Sequence, residues 1–163
     1  MTGVQTCALP ILRAPEFFWS MQHVVVYAGV GMVTCSAILG SLIVSNTKNK
    51  KTLNMGLKIL IVGAVLQITA GYADSISHDI YGIDGLVTPS HLVLETGLLL
   101  SAFGGFMTLC QTDEQKIKKI VPIAIAAVLL SAAWIGFNLI LLFGAIVLCI
   151  PVYEIFSSGC AVL

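Results

Sequence analysis

Long apolar tracts separated by short charged connections constrain this chain more than any other feature. Four tracts run through its 163 residues. The first extends from about His23 to Ser45 and ends in Asn46-Thr-Lys48-Asn-Lys50-Lys51. The second runs from Lys58 to His78 and is apolar until Asp74. The third begins at Pro89 and ends near Gln111, where Thr112-Asp113-Glu114-Gln-Lys116-Ile-Lys118-Lys119 follows. The fourth covers Ile120 to Ser157. As a helix, the first tract rises about 34 Å, enough to cross a hydrocarbon core of about 30 Å.

Composition agrees with that reading. Hydrophobic residues make up 58% and charged residues 10% of the chain, where a soluble domain carries about a quarter charged. The mean hydropathy is +1.00. An all-α fold is expected, a multi-pass transmembrane helical bundle whose first partner is the lipid bilayer. Net charge is zero and no basic run is interleaved with aromatics, so nucleic acid is excluded as an expected partner.

The fourth tract is too long for one crossing, at about 57 Å if fully helical. A break is predicted at Gly136-Phe137-Asn138, giving two short crossings of roughly 16 to 19 residues each, with Pro151 kinking the last. Five transmembrane helices are therefore expected, with four as the alternative. Residues 12–163 form one transmembrane domain on this reading. Met1 to Ile11, MTGVQTCALPI, reads like the translation of a sequencing adapter and is set aside from fold reasoning. Cys35, Cys110, Cys149 and Cys160 show no C-x-x-C spacing and read as small buried hydrophobes.

Orientation follows from the basic residues. Lys48, Lys50, Lys51 and Lys58 join the first helix to the second, and Lys116, Lys118 and Lys119 join the third to the fourth. The connection between the second and third carries Asp79 and Asp84 and no Lys or Arg. The positive-inside rule places both lysine connections in the cytoplasm and the Asp/His connection on the extracytoplasmic side of the cell membrane. Gly97, Ser101 and Gly105 form a small-residue stripe on the third helix that suits close helix packing.

The strongly polar stretch is Asp74-Ser-Ile-Ser-His78, followed after twelve residues by His91. Ionisable groups at the end of a membrane segment are rare without a role. Asp74 and His78 are one helical turn apart and leave the same face. Thr88-Pro89 supplies an N-cap and a first-turn proline, which places His91 in the first turn of the third helix. Two helix ends can therefore offer a carboxylate and two imidazoles to one metal ion. That donor set suits copper, and also zinc or iron. Glu95, one turn after His91, is a candidate for orienting an imidazole or for a fourth ligand. Asp79, Asp84 and Tyr81 read as loop and interface residues; His23, near the outer end of the first helix, is within approach of the site but is left out of it as an ordinary interfacial histidine.

The fuller string, Asp74-SIS-His78-DIYGI-Asp84-GLV-Thr88-Pro89-Ser90-His91, resembles the C subunit of the copper membrane monooxygenases, the family that oxidises methane and ammonia. That family carries a D-x3-H-x5-D-x3-T-P-x-H pattern across two helix ends. The resemblance implies that Asp74, His78 and His91 ligate a copper ion, with partner membrane subunits or further copies of the chain completing the assembly. It also implies an oxidative enzyme acting on small substrates with dioxygen. The chain departs from the family pattern at Ile83, where an Arg is common, and at Val87, where an aromatic is. The metal site therefore carries over more directly than the activity. Two non-catalytic alternatives stand beside it: a membrane protein that binds a metal ion, and a bundle whose polar cluster caps two helix ends.

Overall fold

A computed structural model describes residues 21–45, 53–81, 87–111 and 115–147. The side chain of His78 is not among those described. The adapter-like stretch, Asp84, Cys149, Pro151, Glu154 and Cys160 also lie outside the described residues.

All regular elements among the described residues are helical. Helix α1 is Met21–Ser45, α2 Leu53–Tyr81, α3 Pro89–Cys110, α4 the single turn Gln115–Lys118, and α5 Val121–Ile146. Four of them, all but α4, are long and apolar enough to cross a membrane. β-Branched runs such as Val24-Val25-Val26 are weak helix formers in water. In hydrocarbon, however, every backbone N–H and C=O must bond internally, and that requirement overrides propensity.

The expected break at Gly136-Phe137-Asn138 is not there: α5 runs continuously through it. Among the described residues there are four candidate spans, which supports the four-helix alternative rather than five. Two physical reasons account for this. A mid-helix glycine costs only about 1 kcal/mol, and the space beside Gly136 is open. Asn138 is no turn residue either; it is fully buried and bonded to α3.

Neighbouring spans run antiparallel. Along α1 and α2, Tyr27 meets Gly71 and Asp74 while Gly40 meets Leu57. Along α3 and α5, Glu95 meets Asn138, and Phe103 and Phe106 lie across from Ile125 and Leu129. The tightest seam joins α2 to α3. A Cβ on Gly63 would sit 2.5 Å from the Gly97 carbonyl oxygen, and one on Gly104 would sit 2.5 Å from the Leu60 nitrogen. Gly56 and Gly63 thus face Gly97, Ser101 and Gly104 with backbones nearly touching. Gly105, assigned to this stripe from its spacing, is off the seam, with only a Leu60 methyl at 3.8 Å. Two four-residue steps drift about 80° around a helix, whereas a seven-residue step drifts only about 20°.

The outward surface is apolar, with Val25, Met32, Ile43, Tyr72, Leu130 and Ile140 among its exposed side chains. Cys35 and Cys110 belong to this exposed surface rather than to the interior. Asp79 lies on α2 rather than in a loop, with its side chain exposed.

Candidate metal site

Three helix ends meet where α1 begins, α2 finishes and α3 begins. Thr88 has extended backbone geometry (φ −113°, ψ 160°) and caps α3 by accepting from the His91 N–H at 3.2 Å. Pro89 follows in the first turn. This cap aims both Ser90 and His91 across the seam at α2.

Asp74 is the centre of the cluster and is 2% exposed. Ser90 Oγ donates to its Oδ1 at 2.9 Å, and Ser90 also shares a 2.8 Å hydrogen bond with the Thr88 hydroxyl. Tyr27 donates to Asp74 Oδ2 at 3.3 Å and reaches the Gly71 carbonyl at 3.4 Å. Gly71 makes that possible, because a Cβ there would meet Tyr27 Cε1 at 2.5 Å. Two imidazoles flank the carboxylate: His91 Nε2 lies 3.3 Å from Oδ1, and His23 Nε2 lies 3.5 Å from Oδ2. The His23 ring stacks on Tyr27, with centroids 6.1 Å apart and planes 17° from parallel.

His23, Asp74 and His91 each offer one ligand atom, and these atoms all lie within 4.8 Å of one another. Ligands held at about 2.0–2.1 Å around a tetrahedral ion are themselves about 3.3 Å apart. The two histidine–aspartate separations are close to that spacing but run to different carboxylate oxygens. With one ligand atom from each residue, the widest pair lies up to 4.8 Å apart and needs closure by up to about 1.5 Å, which side-chain rotation supplies. Two imidazole nitrogens and one carboxylate oxygen suit copper, zinc or iron and leave coordination positions open. The donor chemistry therefore fits a resident metal ion.

Of the residues predicted from sequence, the structure brings Asp74 and His91 together. His78 sits in α2 one turn beyond Asp74, and its side chain lies outside the described residues. Glu95 Oε1 accepts from Asn138 Nδ2 on α5 at 2.6 Å. His23, read from sequence as an ordinary interfacial residue, is 8% exposed and belongs to the cluster. Its signal was the antiparallel layout, which puts the start of α1 level with the end of α2. Deeper in the bundle, Gln67 is 1% exposed and donates to Ser101 Oγ at 2.8 Å. No protein-family model, curated protein or solved structure matches this chain.

Proposed function

We propose that this chain is an integral membrane metal-binding protein, with copper as the ion and His23, Asp74 and His91 as ligands. The observation that carries this reading is the convergence of three ligand atoms from three helices within 4.8 Å. His78 is proposed as a further ligand, because it follows Asp74 by one turn on the same helix. On the charge asymmetry of the connections, the site faces the extracytoplasmic side.

The resemblance of the 74–91 string to the C subunit of copper membrane monooxygenases supplies the finer proposal, a monooxygenase-like oxidoreductase subunit. When bound, copper would supply a redox-active centre able to activate dioxygen. The protein's own residues set the surroundings. Asp74 provides the negative charge, while Ser90 and Tyr27 fix the rotation of its carboxylate so that each oxygen faces one imidazole. The apolar outer surface of the helices suits a small substrate arriving through the lipid, and partner membrane subunits or further copies would complete the enzyme.

One observation favours a second reading. The Asp74 carboxylate is already served by Ser90 and Tyr27 and flanked by two imidazoles, so the cluster can also stand as a polar knot tying three helix ends. Elemental analysis of the detergent-purified protein separates the two. A metal site gives about one ion per chain, lost in His23→Ala, His91→Ala and Asp74→Asn. Equal metal content in the wild type and all three variants leaves only the knot.

A further inference from the structure

At the lysine-bearing end of the bundle, α3 and α5 stand apart. Their far ends are tied by the hydrogen bond from Asn138 to Glu95. Nearer the lysines, the hydroxyls of Thr108 and Ser131 bond within their own helices instead. Where α3 meets α2 it presents Gly97, Ser101 and Gly104. Toward α5 it carries Phe103 and Phe106, whose rings lie 6.5 Å apart and tilted by 39°. Small residues let helices close up, and rings prop them open. The result is a crevice of about 110 Å³ lined by Phe103, Phe106, Ile125, Val128 and Leu129. Phe103, Ile125 and Leu129 are exposed, so the crevice opens outward to the lipid.

Its depth and its surroundings select the occupant. Phe106 and Ile125 each lie four residues from the helix ends at Cys110 and Val121, and Phe103 and Leu129 lie seven and eight residues away. The crevice therefore spans about 6 to 12 Å below those ends. An apolar slot at that depth meets the acyl chain of a phospholipid, and each methylene group buried there adds to binding. Above it, Lys118 and Lys119 are exposed. The connection holds Lys116, Lys118 and Lys119 against Asp113 and Glu114, with the lysines nearer α5 in sequence. No acidic residue follows them in the first turn of α5. Basic residues beside a membrane span attract anionic headgroups.

We propose that the α3–α5 crevice, with Lys118 and Lys119, is a binding site for one anionic phospholipid. An acyl chain lies against Phe103 and Phe106, and the phosphate meets the two ammonium groups. A second copy of the chain could cover the crevice but would bring no phosphate to the lysines. The site lies at the opposite end of α3 from His91 and does not depend on whether His23, Asp74 and His91 hold a metal.

Native mass spectrometry of the full chain, released from detergent micelles, tests it by titration with phosphatidylglycerol or phosphatidylcholine of identical acyl chains. Each lysine beside an anionic headgroup strengthens binding about fivefold, so phosphatidylglycerol should bind about 25-fold more tightly. Lys118→Gln with Lys119→Gln should lower its affinity to that of phosphatidylcholine, whereas Lys118→Arg with Lys119→Arg should keep the preference. Lys50→Gln with Lys51→Gln removes the same charge from the other lysine connection and should also keep it. Val128→Trp fills the crevice and should weaken both lipids several-fold, at wild-type helicity by circular dichroism. Equal affinity for the two lipids in the wild type overturns the proposal. So does a preference lost to the same extent in both glutamine pairs, which marks diffuse attraction. Affinities untouched by Val128→Trp overturn it too, because no chain is then seated in the crevice. A doubled mass that Val128→Trp abolishes would assign the crevice to a second copy instead.

Discussion

Asp74 Oδ1 and His91 Nε2 lie 3.3 Å apart across the seam between α2 and α3, and the carboxylate's other oxygen lies 3.5 Å from His23 Nε2. One carboxylate thus sits between two imidazoles that reach it from different helices. Ser90 fixes its rotation from the α3 side and Tyr27 from the α1 side. Removing a side chain that orients a metal ligand typically weakens binding about 10–100-fold. Ser90→Ala and Tyr27→Phe should each lower copper affinity within that range, while Asp74→Asn should lower it further. Competition against a chromophoric chelator measures all three, and unchanged affinity in every variant would remove the ion from this cluster.

Metal uptake should compete with protons. An imidazole binds an ion through a ring lone pair, so only its neutral form is a ligand, and a neutral ring whose Nε2 carries the hydrogen shifts it to Nδ1 without releasing it. Apparent affinity should therefore fall in acid, by up to about tenfold per pH unit for each imidazole that must lose a proton. Chelator competition across a pH series measures the slope. Affinity that does not fall in acid would mean that the imidazoles are not ligands.

The α2–α3 seam should tolerate no added methyl. At Gly63, a Cβ would lie 2.5 Å from the Gly97 carbonyl oxygen, which is backbone and cannot swing aside. Overpacking of this kind costs about 1–3 kcal/mol. Gly63→Ala and Gly97→Ala should each lower the thermal midpoint in detergent, whereas Gly136→Ala should not, because open space surrounds Gly136. Equal midpoints for all three would show that the helices do not approach this closely.

Glu95 and Asn138 should be coupled energetically. Interhelical hydrogen bonds in membrane proteins average about 0.6 kcal/mol and reach about 1.7. A 2.6 Å bond to a carboxyl group, with both partners buried, belongs near the upper end. Asn138→Leu alone strands the acid in the bundle, while Glu95→Leu with Asn138→Leu removes both polar groups and should recover much of the loss. A double-mutant cycle from reversible unfolding gives the coupling. A value near zero would show that the two side chains do not meet.

Gly71→Ala separates geometry from chemistry. The added methyl would strike the Tyr27 ring, moving its hydroxyl off Asp74 without touching a ligand atom. Copper affinity should fall about as far as in Tyr27→Phe. If only Tyr27→Phe weakens binding, the close approach of the ring to α2 has no part in holding the site.

The crossings were legible in the sequence because apolar length is nearly the whole requirement for a span. The α3 cap was equally legible, because Thr88-Pro89 is a local signal and Thr88 Oγ1 meets the His91 N–H. The course of α5 was not. Gly136 and Asn138 read as a turn because in water they commonly form one, but in a bundle Asn138 has a partner 43 residues away. His23 failed for the same reason. Nothing near it in sequence is acidic, and only the pairing of α1 with α2 brings it to Asp74. The Asp74–His91 pair was accessible because one short connection joins its two helices.

His23, Asp74 and His91 belong to three successive membrane crossings, and this has a consequence for biosynthesis. A nascent chain with only two crossings in the bilayer holds His23 and Asp74 but lacks the third donor. Ion capture at the full triad, as proposed, would thus come late in insertion, after the first turn of α3 has left the translocon. An ion bound there would then act as a rivet, holding together segments that the lipid alone would leave free to drift apart.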